Sequence, residues 1–99
     1  MNQACCAKQD ALRSFSEGGP IYVYLIESLS THGQRYVGLT TNLIRRFQEH
    51  NAGKSAHTSK YLPWQLVTYI AFSDRTKAES FERYLKSGSG HAFAAKRLW

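Results

Sequence analysis

The chain has 99 residues, of which 42% are hydrophobic and 20% charged, so it can bury one core but not two. No apolar run reaches the roughly 18 residues that a membrane helix needs, and the N-terminus lacks the apolar centre of a secretory signal; we expect a soluble, intracellular, cytoplasmic protein. The formal net charge is +6 at pH 7. A basic domain favours a polyanionic partner, nucleic acid first.

The first 20 residues are polar and end in the breaker cluster SEGGP. We predict a flexible tail over residues 1–20, with a short helix near residues 8–15, followed by one domain over residues 21–99. Cys5 and Cys6 are adjacent, so they can neither close a loop nor form a zinc site alone. We interpret them as free thiols and assign them no role.

Two strands are predicted next. IYVYLIE (residues 21–27) alternates β-branched and aromatic side chains, SLSTHG is a turn, and QRYVGL (residues 34–39) is a second run, so the two form an antiparallel hairpin. Directly opposed residues of such a pair have a constant number sum. If that sum is even, Tyr24 and Tyr36 lie on the same face of the sheet.

The segment TTNLIRRFQEHNAG switches to helical spacing, with Arg46 and His50 four residues apart on the same side. Its start has three candidate caps: Thr40, Thr41 and Asn42. Gly53 ends it. Its predicted apolar stripe consists of Leu43, Ile44 and Phe47.

The remaining segments predict a third strand and two helices. KSAHTSKYLP is interpreted as an exposed basic loop, WQLVTYIAF as a strand, and SDRTKAESFERYLKS as a helix that SGSG terminates. In that helix Thr76 and Glu79 match a capping box. Its core-facing residues are Ala78, Phe81 and Leu85. HAFAAKRLW is a short closing helix. The fold class is therefore α+β, a three-stranded antiparallel sheet with flanking helices in the order β-β-α-β-α plus a short C-terminal helix.

Four short motifs follow one another along the chain: YVY at residues 22–24, YVG at 36–38, RRFQEH at 45–50 and FERYLK at 81–86. Together they resemble the GIY-YIG nuclease superfamily, in particular its small stand-alone bacterial members. The resemblance extends from about Tyr22 to Arg97. It implies cleavage of a phosphodiester bond in nucleic acid, in the context of DNA repair or recombination, with Mg²⁺ or Mn²⁺ as cofactor.

The resemblance also implies roles for individual residues. The catalytic set carried over by position is Tyr24, Tyr36, Arg46, His50 and Glu82, with Glu82 as the metal ligand. Gly38 matches the glycine of the second motif. The candidates for contacts with the nucleic acid, taken as DNA, are Gly38, Arg45, Lys54, His57 and Lys60. The oligomeric state is open, and a monomer is assumed.

These residue types suit the chemistry. A tyrosine near a metal or a guanidinium acquires a lower pKa and can accept a proton from water. Arginine presents a charged fork of donors to phosphate oxygens. Magnesium keeps most of its waters, so one carboxylate together with the substrate phosphate can hold it.

Each residue also has a structural explanation. Tyrosines on paired strands commonly pack across the pair. Glu82 can form a surface ion pair with Lys86. His50 can be a solvated residue whose charged form the helix dipole favours. Leu39 follows YVG where many catalytic members have a lysine or a small residue, and the asparagine that some members have near the end lacks a clear counterpart. The alternative function is therefore a non-catalytic nucleic-acid-binding module of the same fold.

Overall fold

The computed structural model describes residues 19–99. The predictions for residues 1–18, namely the tail, its short helix and the two free thiols, lie outside this range. The described elements are β1 (Ile21–Ser28), β2 (Arg35–Thr40), α1 (Leu43–Asn51), a 3₁₀ turn (Ser59–Tyr61), β3 (Trp64–Phe72), α2 (Arg75–Leu85) and α3 (Gly88–Arg97). The predicted order and the α+β class are confirmed.

The sheet has the order β2-β1-β3, and both pairings are antiparallel. In the first pairing Tyr24 is opposite Gly38 and Ile26 is opposite Tyr36. The number sum is therefore even, and Tyr24 and Tyr36 lie on the same face, as the conditional prediction required.

Alternation along β1 divides the core into two layers. Val23 and Leu25 point to one face, where they pack with α2 and α3 through Ala78, Leu85 and Ala94. The even-numbered residues Tyr24 and Ile26 point to the other face; there they pack with Trp64 and with partly buried side chains that include Leu43 and Phe47 of α1. The central strand β1 is buried on both faces, so it contributes side chains to both layers of the core.

Both predicted ends of α1 are close to the observed ones. Asn42 is the N-cap, and its side-chain oxygen accepts a hydrogen bond from the backbone N–H of Arg45 at 3.1 Å. Gly53, with φ +77°, follows the helix in the left-handed conformation that glycine adopts without strain. Ile44 was predicted to be part of the apolar stripe, which is wrong, because its side chain is 73% exposed.

The capping box predicted for α2 is also wrong. Asp74 is the N-cap, and its carboxylate accepts hydrogen bonds from the backbone N–H groups of Thr76 and Lys77. Glu79 forms an ion pair with Arg75 at 3.0 Å instead. Asp74 is the residue directly before the helix, where a carboxylate can cap it, whereas Thr76 already lies within the first turn.

The SGSG segment ends α2 but also begins α3. Ser87 caps α3 through a hydrogen bond from the backbone N–H of Gly90, at 3.2 Å. A Cβ atom on Gly90 would collide with the carbonyl group of Tyr84 at the end of α2. The glycine therefore permits the two helices to approach closely, and α3 begins three residues earlier than its apolar spacing indicates.

Candidate active site

Three aromatic rings meet on the face of the sheet that α1 covers. The ring centroids of Tyr24 and Tyr36 are 6.3 Å apart, and the imidazole of His50 lies 5.6 Å from the first and 5.1 Å from the second. The two tyrosines come from neighbouring strands, and His50 comes from the last turn of α1. The fold thus brings together three residues that are widely separated in the sequence.

Tyr24 and His50 are buried and hydrogen-bonded to each other. The Tyr24 hydroxyl lies 2.8 Å from His50 Nε2, and His50 Nδ1 lies 2.8 Å from the Thr58 hydroxyl. None of these three side chains is more than 1% exposed. Both ring nitrogens of His50 are occupied, so the ring is fixed in orientation.

Burial determines the protonation of both partners. It lowers the pKa of His50 to about 4, with the positive charge of Arg46 as a second cause. Burial also raises the pKa of Tyr24 to about 12, although a hydrogen bond from Arg46 opposes the shift. At neutral pH Tyr24 is therefore a phenol and His50 a neutral imidazole. The expectation that the helix dipole favours a charged, solvated His50 is wrong, because the ring is desolvated.

Arg46 lies one turn before His50 on the same side of α1. Its Nη1 donates a hydrogen bond to Glu49 Oε1 at 3.0 Å, and its side chain is 32% exposed. The hydrogen bond to Tyr24, the first cause, and that to Glu49 raise the pKa of the guanidinium, while burial opposes them. Arg46 is therefore always charged and is adjacent to both tyrosines.

Gly38 lies directly beneath the Tyr24 ring. A Cβ atom at this position would overlap the Tyr24 hydroxyl and ring. The absent side chain therefore makes room for a tyrosine of the protein. Any contact of this buried glycine with nucleic acid stays a prediction.

Glu82 stands apart from the tyrosines. It lies on α2, which packs against the opposite face of the sheet, and it forms an ion pair with Lys86. Its side chain is only 17% exposed. Lys86 nevertheless lines the same cavity as Tyr36, beside the edge strand β2. Glu82 itself makes no contact with Tyr24, Tyr36, Arg46 or His50 that the structure shows.

The basic candidates are all exposed: Arg45 on α1, and Lys54, His57 and Lys60 in the following loop. The loop was predicted to be exposed, which is only partly right. Thr58 and Ser55 are buried, and the Thr58 carbonyl accepts a hydrogen bond from the Trp64 indole at 2.8 Å. The loop folds inward because Thr58 supplies the partner of His50.

Two residues with a supporting role escaped sequence reasoning. Thr58 orients His50, and the side chain of Asn51 forms two hydrogen bonds with the backbone of Trp64, at 2.6 and 3.1 Å. Together they fix the end of α1 to the start of β3. Neither residue is apolar and neither belongs to a recognisable motif, so periodicity carries no signal for them.

Comparison with known proteins identifies the family. The family model described as the GIY-YIG catalytic domain matches residues 20–94. The chain belongs to the GIY-YIG family. Its match includes both tyrosines, Arg46, His50 and Glu82.

Several relatives in this family are small proteins. A UPF0213 protein from Cupriavidus pinatubonensis is 39% identical over 79 residues, covering 76% of this chain and 86% of the relative. Another from Haloquadratum walsbyi is 42% identical over 67 residues, covering 67% and 73%. The solution structure of a UPF0213 protein from Bacillus halodurans is 30% identical, covers 78% of this chain and 83% of its own, and has a TM-score of 0.49.

One relative of this GIY-YIG protein has a name that states an activity. The structure-specific endonuclease subunit SLX1 homolog from Giardia intestinalis is 37% identical over 65 residues, which is 62% of this chain. The chain spans only 18% of that relative's length. Within residues 19–99, we find no helix with the length and apolar character to span a membrane.

Proposed function

We propose that this protein is an endonuclease that hydrolyses phosphodiester bonds of DNA with the help of a divalent metal ion. The observation that carries the proposal is the convergence of Tyr24, Tyr36 and the charged Arg46 around a buried, hydrogen-bonded His50. Membership of a family whose model is a catalytic domain supports it. An ordinary packed core has no need of a guanidinium beside two phenols.

The two tyrosines have different roles. Tyr24 is 1% exposed, its pKa is raised to about 12, and its hydroxyl is engaged by His50, so it is poorly suited to take up a proton. Tyr36 is only partly buried and is adjacent to the guanidinium of Arg46. We assign the acceptance of a proton from the attacking water to Tyr36, and the positioning of Arg46 to Tyr24.

Arg46 is the residue that meets the phosphate. A guanidinium offers five N–H donors, and the bonds to Glu49 and Tyr24 engage two of them, so the fork retains donors for the oxygens of a phosphodiester. Glu49 and Tyr24 hold the group from two sides. A preorganised cation of this kind stabilises the charge that develops during hydrolysis.

Glu82 is the carboxylate that we assign to the metal, and the phosphate of the substrate would have to connect it to Arg46 and Tyr36, which it does not contact. Among the described residues no three His, Cys, Asp or Glu side chains form a metal-binding group. A single carboxylate suffices for Mg²⁺ or Mn²⁺ when phosphate oxygens and water supply the other ligands, and the partly buried Glu82 can provide it. When bound, such a metal would polarise the phosphate and lower the pKa of a coordinated water.

Other parts of the proposal concern binding and context. The name of the Giardia relative states a structure-specific endonuclease, which supports a nuclease here. We propose that the exposed Arg45, Lys54, His57 and Lys60 contact phosphates, and that the protein acts as a monomer in DNA repair or recombination.

The test is cleavage of supercoiled plasmid and of single-stranded, branched and duplex oligonucleotides with Mg²⁺ or Mn²⁺. Glu82→Gln should abolish cleavage. The matched control is Glu79→Gln, because Glu79 is also paired at i,i+4 on α2, with Arg75. Equal activity of the two variants would contradict the role of Glu82, and no cleavage of any substrate by the parent would contradict the proposed function.

One observation favours a second candidate, a non-catalytic nucleic-acid-binding module. Lys86 neutralises Glu82, the carboxylate that a metal would need. In that case the protein should bind DNA with a steep loss of affinity as salt increases, while cleavage stays absent with either metal. Lys86→Ala would then leave cleavage absent, whereas in a nuclease it frees Glu82.

A further inference from the structure

The cavity that Tyr36 and Lys86 line lies between the edge strand β2 and the C-terminal helix α3. Its volume is about 620 Å³, within the range of about 300–1,000 Å³ typical of ligand sites. Small apolar side chains of α3 form its floor. Its other lining residues used below are Arg35, Tyr36, Lys86, His91 and Trp99.

We propose that this cavity binds one unpaired nucleotide of the nucleic acid, next to the phosphate that Tyr36 and Arg46 address. The inference rests on the proposed function and extends it to a substrate class. DNA whose bases are unpaired beside the cut, such as a single strand or a flap, can place a base there. A base within a duplex cannot, since it must first leave the stack.

Aromatic and guanidinium planes provide the stacking surface. The Arg35 guanidinium lies over the Trp99 ring, with its carbon 4.8 Å from the ring centroid. Bases of single strands stack on tryptophan rings and on arginine planes irrespective of sequence. The Trp99 end of the chain is anchored, because the Thr68 hydroxyl donates a hydrogen bond to the Leu98 carbonyl at 2.6 Å. The stacking surface is therefore held in place before any ligand binds.

The rim of the cavity supplies positive charge for a phosphate. Lys86 and Arg35 line it, and each is paired with a carboxylate, Glu82 and Glu27 respectively. Both cations are about half exposed, and exposed pairs of this kind are weak. A phosphate can therefore replace the carboxylate as their partner at little cost. His91 adds a further donor.

The position of Tyr36 connects the cavity to the candidate active site. Its ring packs against Tyr24 and His50, and the residue also lines the cavity. Tyr36 lies on the edge strand β2, so a nucleic-acid strand that runs around this edge can contact the cavity on one side and the Tyr36 ring on the other.

A smaller cavity on the other face provides the contrast. It measures about 290 Å³, and none of its lining residues is charged: Tyr22, Thr41, Asn42, Leu43, Ile44 and Tyr69. Tyr69 is 53% exposed and serves as a matched aromatic control.

The test uses tryptophan fluorescence. The chain has two tryptophans, and Trp64 is only 4% exposed, so a surface ligand should quench Trp99 selectively. The full chain is titrated in EDTA, which prevents metal-dependent cleavage, with an eight-nucleotide oligo(dT) and with a blunt duplex hairpin. Anisotropy of the labelled oligonucleotides reports binding independently. We expect oligo(dT) to quench the emission and the hairpin to leave it unchanged.

Variants then localise the effect. Trp99→Leu should weaken oligo(dT) binding at least about fivefold. Lys86→Ala should also weaken oligo(dT) binding, and its effect should be larger at low salt than at high salt. Tyr69→Leu should leave the affinity unchanged. Circular dichroism of each variant checks that it folds, and Trp99→Phe, which keeps a stacking ring, should retain most of the affinity.

Three outcomes overturn the proposal: no oligo(dT) binding, binding without quenching of Trp99, or equal effects of Trp99→Leu and Tyr69→Leu. Its failure is separable from that of the nuclease assignment. Cleavage that depends on Glu82 without a Trp99 response contradicts only the nucleotide site. A Trp99 response without cleavage contradicts only the nuclease.

Discussion

The hydroxyl of Tyr24 and Nε2 of His50 lie 2.8 Å apart in the interior of the protein, where Tyr24 is 1% exposed and His50 is not exposed at all. Two residues that the family pattern places among the catalytic groups thus form an internal support. In the proposed nuclease, the contacts with substrate would fall to Tyr36 and Arg46, which are less buried.

Replacing Tyr24 with phenylalanine should therefore act mainly on stability. The change removes the partner of His50 Nε2 and leaves a buried polar atom unsatisfied, which costs about 1–3 kcal/mol. Urea denaturation measures the loss. In an alkaline absorbance titration of the folded protein, the variant should lack the ionisation near pH 12 that burial gives Tyr24. Unchanged stability and an unchanged titration would contradict the internal role.

Replacing Tyr36 with phenylalanine should act mainly on activity. If Tyr36 accepts the proton of the attacking water, cleavage should fall by about 10²–10⁴-fold, the usual contribution of a general base. The free energy of unfolding should change little, because the residue is only partly buried. Tyr61→Phe is the control and should retain activity, because the Tyr61 side chain is partly buried but its ring packs on Trp64. If Tyr36→Phe retains full activity, another group accepts the proton.

His50 should make the fold sensitive to acid. Its pKa is about 4 in the folded protein because of burial, and secondly because of Arg46, against about 6.5 in the unfolded chain. Between these values the unfolded chain binds a proton that the folded protein excludes, so stability is lost as pH falls from about 6.5 towards 4. The loss should be about 2 kcal/mol between pH 7.5 and pH 5.

Urea denaturation of His50→Gln at several pH values checks this, because the variant should show a smaller loss over the same window. His57→Gln is the control, since His57 is exposed, and it should retain the parent's pH dependence. If His50→Gln and the parent lose equal stability, His50 is not the group that responds.

The order of elements could be predicted from the sequence because each element has a strong local signal. IYVYLIE and WQLVTYIAF are β-branched and aromatic runs, and they form β1 and β3 with nearly the predicted bounds. The start of α3 could not be predicted in this way. Its first turn is rich in glycine, and only the close approach of Gly90 to Tyr84 explains why a helix tolerates it there.

The site could be predicted only in part. The resemblance located Tyr24, Tyr36, Arg46 and His50, which the fold brings together. It did not indicate that Tyr24 and His50 are buried, because their burial depends on how the loop after α1 folds. Thr58 enters the core to bond His50, and its segment is polar throughout, so the sequence gives no sign that it turns inward.

Gly38 provides the sharpest test of the packing at the site. It lies opposite Tyr24 on β2, and a methyl group there would overlap the tyrosine hydroxyl and ring. Because strand and ring are both fixed, Gly38→Ala should move Tyr24 and break its hydrogen bond with His50, destabilising the protein by about 1–3 kcal/mol. Cleavage should fall as well, since Tyr24 positions Arg46.

Gly88→Ala is the matched control, because a Cβ atom at the start of α3 meets no atom within 4 Å among the described residues. Alanine also favours helix over glycine, so Gly88→Ala should be neutral or slightly stabilising. Thermal unfolding and plasmid cleavage of both variants decide the matter. If Gly38→Ala keeps parental stability and activity, the tyrosine ring has space to move, and the glycine is free to serve the phosphate instead. If it loses both while Gly88→Ala keeps both, the glycine of the second motif is explained by the tyrosine of the first.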